Sequence, residues 1–134
     1  MLAPFRTEVG ELRFVGGLLG HWSVWTQKAV EILARCKAVR QMSAVPMEHL
    51  ALDSAVTACN AAFFDVANGF RGVIAGCHEV LRRQGLLAGR WCLDPHEDLS
   101  PGQMEAIDRV YRLYPELNDD AFVASNLGRW LDSK

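Results

Sequence analysis

Long apolar runs are missing from this sequence. No stretch approaches the roughly 18 residues that a bilayer-spanning helix needs, so no membrane role is expected. An excess of one charge is missing too. Lys and Arg number 14 against 16 Asp and Glu, for a net charge of −2. Without a basic stripe, nucleic acid is not an expected partner. The first residues, MLAPFRTEVGELRF, hold no apolar core and place Glu8 and Glu11 early, which argues against a secretory signal. The four cysteines, Cys36, Cys59, Cys77 and Cys92, form no C-x-x-C pair. They are expected as reduced thiols in a cytoplasmic protein, mostly acting as small buried hydrophobes. Without the paired spacing of zinc sites, no metal is expected on them. The sequence also lacks H-E-x-x-H, a Walker-type Gly-Lys-Ser/Thr and a Gly-x-Ser-x-Gly elbow, so three common routes to catalysis gain no support.

What is present is ordinary globular composition, with 50% hydrophobic and 22% charged residues. That suffices for a core and is wrong for a disordered chain. One domain over residues 1–134 is expected. Residues 1–10 carry no pattern and are expected to be disordered. Glu11 to Val15 is the one good strand candidate, ended by Gly16-Gly17.

From Trp22 the apolar period becomes helical, with Trp22, Trp25, Ala29, Ile32, Leu33 and Cys36 at three- and four-residue steps. A helix to about Arg40 is predicted. A second is predicted from Met47 to Phe64, burying Leu50, Val56, Ala58, Ala61 and Phe64. Pro46 suits its first turn and Glu48 its positive end. A third should run from about Phe70 to Gln84, separate from the second or continuous with it. Gly85 is its expected left-handed cap. Ser100-Pro101-Gly102-Gln103 starts a fourth helix, with Ser100 as cap and Gln103 completing a capping box. Pro115 ends it. Asp119 or Asp120 caps a fifth, Ala121 to Leu131. The fold class is therefore mainly α, with about five helices and at most one short N-terminal strand.

Four features bear on chemistry. Gly16-Gly17-Leu18-Leu19-Gly20-His21-Trp22 is a glycine-rich turn between the expected strand and helix. Such a turn exposes backbone N–H groups at a positive helix end and suits an anion. Its plainer role is a flexible connection with His21 as a cap or packing residue. Gly72-x-x-x-Gly76 lies on one helical face. Glycine inside a helix costs about 1 kcal/mol relative to alanine, so close approach by a neighbouring element is expected there. His21, His49, His78 and His96 show no ligand spacing and are expected as surface or capping residues. The aromatic set, Trp22, Trp25, Trp91 and Trp130 with Phe63, Phe64, Phe70 and Phe122, reads as core and interface anchors. In a short chain it also leaves apolar patches that imply a partner.

The stretch from Asn68 to Ile107, NGFRGVIAGCHEVLRRQGLLAGRWCLDPHEDLSPGQMEAI, runs from a glycine-rich helix through a Gly-Leu exit and an extended segment into a Ser-initiated helix. It resembles the closing segment of the dihydrodipicolinate synthase / N-acetylneuraminate lyase family. Asn68, Gly85-Leu86, Arg90 to Leu93 and Leu99-Ser100 occupy the matching places. Gly69 stands where the family commonly has proline, and the stretch after Tyr114 extends past its usual end.

The resemblance implies a class I aldolase-type (β/α)8 barrel acting on pyruvate or another 2-keto acid through a Schiff-base lysine. A barrel of that kind needs roughly 250 residues. Residues 11–67 would then supply the last strand, its loop and two helices, and residues 68–134 the helical C-terminal layer. In that setting the glycine-rich loop falls at the catalytic mouth, with Gly17, Gly20, His21 and Trp22 as candidate substrate contacts.

The family's lysine and relay tyrosine lie upstream of the matched region, so no catalytic residue carries over. Lys28, Lys37, Tyr111 and Tyr114 do not match them. No cofactor is implied. A fragment of this kind is expected to be inactive alone, to oligomerise or aggregate, and to complement a missing barrel portion. The rival reading is a stand-alone helical interaction or dimerisation module.

Overall fold

The computed structural model describes residues 2–18 and 20–132, with the His21 side chain outside the described set. The chain opens with two short strands, β1 (Phe5–Thr7) and β2 (Gly10–Leu12), paired antiparallel with Thr7 opposite Gly10. Five helices follow: α1 (Thr26–Val39), α2 (Glu48–Phe63), α3 (Val73–Arg83), α4 (Gln103–Leu113) and α5 (Asp120–Leu131). Short 3-10 turns cover Gly20–Trp22, Val66–Asn68 and Pro115–Leu117. The mainly α class holds. No helix among the described residues is long and apolar enough to cross a membrane.

The strand expected over Glu11 to Val15 is shorter and has a partner in the segment expected to carry no structure. Gly10, at φ +120°, closes the tight turn, and the Thr7 hydroxyl donates to the Gly10 carbonyl at 2.8 Å. Phe5 and Phe14 meet edge to face at 5.2 Å between ring centroids. All six strand residues are exposed. An isolated two-stranded hairpin is marginal in water, so this arm gains little from its own pairing.

α1 starts later than the period suggests. Trp25, at φ −94° and ψ 58°, is not helical, so Trp22 falls in the preceding turn and the helix proper begins at Thr26. It has no side-chain cap of its own. Instead Asp119, 92 residues away, accepts the Gln27 N–H at 3.0 Å. The other oxygen of Asp119 accepts from Gln84 Nε2 at 2.7 Å. One buried carboxylate thereby ties the start of α1, the end of α3 and the start of α5.

α2 is the central helix and packs on both α3 and α4. Its buried face is His49, Ala55, Cys59, Ala62 and Phe63. That is a rotation from the expected face: Leu50 is 64% exposed, and Val56, Ala58, Ala61 and Phe64 are only half-buried. The buried face sits about one residue from the expected one, and it sets Phe63 and His49 beside the small Ala55, Cys59 and Ala62. Trp25 and Phe63, both fully buried, meet edge to face at 4.7 Å, and Trp25 meets Tyr111 at 5.2 Å. Val80, Ile107, Val110 and Leu117 complete this core.

α2 and α3 are separate. Asp65 (φ 54°), Gly69 (φ 64°) and Phe70 (φ 67°) are left-handed, which no helix tolerates. The glycine pair then does what its spacing suggests. A Cβ at Gly76 would overlap the Phe63 carbonyl oxygen at the end of α2, and one at Gly72 would overlap the Gln103 side chain. In the space so freed lies Gln103, 2% exposed, whose Nε2 donates to the carbonyls of Gly72 (2.9 Å) and Phe63 (3.3 Å).

Gln103 Oε1 accepts the Ser100 N–H at 3.0 Å, the backward bond of a capping box. The forward bond is absent: α4 begins after Gly102 (φ 80°) with no side-chain cap. The Ser100 hydroxyl bonds to Asp65 instead. Gly85 (φ 76°) ends α3 in the expected left-handed conformation, with the Leu86 N–H donating to Leu81 at 2.9 Å.

Candidate functional site

The glycine-rich loop leads from the hairpin into α1. Gly17 lies under the Trp22 indole, and a Cβ there would overlap the ring. Gly20, at φ +74°, faces the Asn60 side chain of α2, with 3.0 Å between a hypothetical Cβ and Asn60 Nδ2. The Ser23 N–H and hydroxyl both donate to the Gly20 carbonyl, at 3.0 and 2.7 Å, and the Thr26 hydroxyl donates to the Trp22 carbonyl at 3.0 Å. The loop is thus folded on itself and seated on α2. It brings Gly17, Gly20 and Trp22 together. The fourth candidate, the His21 side chain, lies outside the described residues. The nearby positive end of α1 already faces the Asp119 carboxylate, which answers the helix dipole from within the chain.

Neither lysine of α1 is enclosed. Lys28 Nζ pairs with Glu31 at 3.0 Å, and Lys37 is exposed.

A group that the motifs did not announce is Glu79. It is fully buried, yet charged. Its carboxylate accepts from Arg82 Nε and Nη2 and from Arg83 Nε, each at 2.8 Å, and from Arg90 Nη1 at 3.2 Å. Arg83 continues to Asp108 and stacks over the Tyr111 ring at 5.0 Å. Arg90 continues to Asp98 at 3.0 Å. The Arg82 bonds, joined by those of Arg83 and Arg90, outweigh burial and hold the Glu79 carboxyl down at about 2. Three acids and three guanidiniums therefore lock α3, α4 and the 86–102 connection. The signal in the sequence is faint: Arg82 and Arg83 stand at i+3 and i+4 from Glu79, a spacing common to exposed helix pairs.

Asp65 behaves similarly. Burial pushes its carboxyl up, but bonds from Asn68 (2.6 Å), the Ser100 hydroxyl and the Gly72 N–H (2.9 Å) bring it below the usual range.

Burial pushes Cys59 up to about 12 and raises Cys77 and Cys92. Among the described residues no group of three or more His, Cys, Asp or Glu could hold a metal ion. The histidines divide. The His96 N–H donates to Asp94 in a loop at 2.9 Å, whereas His49, expected at the surface, is 7% exposed. Its burial in the first turn of α2 is not signalled by the sequence pattern.

Comparison with family models, with curated proteins and with solved structures finds no match to this chain.

Proposed function

We propose that this chain is the C-terminal part of a Schiff-base-forming lyase of the dihydrodipicolinate synthase family, without lyase activity alone. The carrying observation is the unpartnered apolar surface of the N-terminal arm. Phe5, Val9, Leu12, Phe14, Val15 and Leu18 are 52 to 89% exposed. Exposed apolar area on this scale calls for a cover. In the proposed setting the cover is the remainder of a barrel, with 11–15 as its closing strand and Gly17, Gly20, His21 and Trp22 at the mouth.

The 2-keto acid substrate, homo-oligomeric assembly and cytoplasmic location belong to that complete enzyme. The surface position of Lys28 and Lys37 agrees with a reactive lysine elsewhere.

The second reading, a stand-alone helical interaction module, draws on the closed core of α2, α3 and α4 around Trp25 and Phe63. The two separate in one experiment. The purified chain is incubated with pyruvate and borohydride, alone and with a polypeptide carrying the family's upstream barrel portion, and intact masses are measured. The lyase reading expects an adduct on the upstream polypeptide alone, with aldol cleavage restored on mixing. An adduct on this chain alone, or no association, rejects it.

A further inference from the structure

β2 has one open edge. Among the described residues its sole strand partner is β1, and residues 11–18 are exposed. In a tight hairpin with Thr7 opposite Gly10, the pairs that exchange backbone bonds are Thr7–Gly10 and Phe5–Leu12. Glu11, between them, therefore turns its N–H and C=O outward. Arg13, two residues on, points its backbone groups the same way. The alternation does run that far. Phe14 meets the Phe5 ring on one face, and Arg13 Nη2 donates to Glu11 Oε1 at 2.9 Å on the other.

An unpaired strand edge is a template for another chain, and proteins guard such edges with proline or charge. The β1 edge is guarded. Pro4, on its outward side, has no N–H to give, and two β1 strands centred on Arg6 would set like charges opposite each other. The β2 edge differs, and its register decides the outcome. Bonds form only where outward groups meet, so two antiparallel β2 edges can be centred on Glu11, Leu12 or Arg13. The first choice opposes two carboxylates and the last two guanidiniums. Centring on Leu12 sets Glu11 opposite Arg13 of the second copy, and the two-fold axis repeats the pair. It also sets Leu12 against its own copy and Phe14 across from Gly10, which has no side chain to displace the ring.

We propose that two copies of this chain pair edge to edge through β2, antiparallel about a two-fold axis at Leu12. Their hairpins join into one sheet, with Glu11–Arg13 pairs on one face and Phe5, Leu12 and Phe14 of both copies on the other. So small a contact makes a weak dimer, with Kd on the order of 100 µM. The pairing does not rest on the lyase reading. It holds for the chain by itself, since in a complete barrel a neighbouring strand would take this edge, and its failure leaves the imine-trapping result untouched.

The test is sedimentation equilibrium with charge reversals. Glu11→Lys and Arg13→Glu, each alone, oppose like charges across the axis and should weaken the dimer about tenfold. Mixing the two variants should restore it, because each reversed charge then meets its opposite in the other chain. The like charges within each chain remain, so restoration reports the pairing between chains. Wild type supplies an independent reading by amide exchange. At a total concentration about ten times Kd, the Glu11 and Arg13 amides should exchange about fivefold more slowly than in the monomer, by mass action, and the Arg6 amide should not change. A monomer at every concentration, which would leave the edge to a different partner, overturns the proposal. Association that neither reversal weakens, or that mixing fails to restore, also overturns it: the apolar face would then be clustering without register.

Discussion

The helical body and the N-terminal arm are built on opposite terms. From Trp25 onward, buried polar groups cross-link elements far apart in sequence: Gln103 under the glycine stripe, Glu79 among three arginines, Asp119 between α1 and α3. Each such group specifies one packing arrangement, because a slipped alternative would leave it unmatched. The arm has apolar side chains in the open and bonds mainly to itself. The body thus owes its order to its own residues, while the arm has the character of a surface that another body covers. That sharpens the expectation that the isolated chain would associate. Association should arise from residues 2–18, with the core of α2, α3 and α4 remaining ordered.

The largest effect should come from breaking the body at Glu79. Glu79→Ala leaves the partly buried guanidiniums of Arg83 and Arg90, and the exposed one of Arg82, without their shared carboxylate and should cost about 3–5 kcal/mol in urea unfolding. The same group sets an acid dependence. Its folded value, about 2, lies below the ordinary 4.5. The stability it contributes is therefore complete above about pH 4.5 and is lost as pH falls from there towards 2. Asp65 and Asp98, also lowered, add in the same direction. Unfolding midpoints of wild type should fall through that window, and Glu79→Gln should flatten the slope.

Gly76→Ala comes next. At most helix positions this change stabilises by about 1 kcal/mol. Here the methyl meets the Phe63 carbonyl and Gln103, so a loss of about 1–3 kcal/mol is expected. A gain measured by thermal unfolding would show that α2 and α3 are farther apart than described.

Asp119→Ala should cost about 1–3 kcal/mol, since it strands the Gln27 N–H and leaves the Gln84 amide only its bond to Asp120. Exchange of the Gln27 amide should accelerate more than exchange at the middle of α2.

The smallest effect on stability should follow from Val9→Ser with Phe14→Ser. Surface changes of this kind stay within about 0.5 kcal/mol. Self-association in sedimentation experiments should nonetheless fall, because these two residues carry part of the contiguous apolar surface of the arm. Unchanged association would move the sticky face elsewhere.

The sequence declared some of this and concealed the rest. Helix existence was legible from period and caps, as at Gly85, where glycine alone fits the left-handed turn. Gly72 and Gly76 announced a close approach, because bare glycines in a helix need compensation, but they could not say that Gln103 fills the gap. The face of α2 was misjudged by about one residue, because the helix is apolar or small on several sides and its pattern did not single out the Ala55, Cys59, Ala62 and Phe63 face. Asp119 precedes α5 as expected but makes no side-chain cap bond there; its oxygens go to Gln27 and Gln84, which depends on tertiary placement alone. Of the candidate loop, Gly20 carried its signal in the backbone. His49 gave none for its burial.

The most direct measurement is amide hydrogen exchange on the full chain at a concentration where it is monomeric. Slow exchange is predicted in α2, α3 and α4, at amides such as those of Cys59, Val80 and Val110, with residues 2–18 exchanging at nearly the rate of an unfolded peptide. Protection of the arm to the level of the helices, or uniformly fast exchange throughout, would contradict the division of this molecule into an ordered body and an uncovered arm.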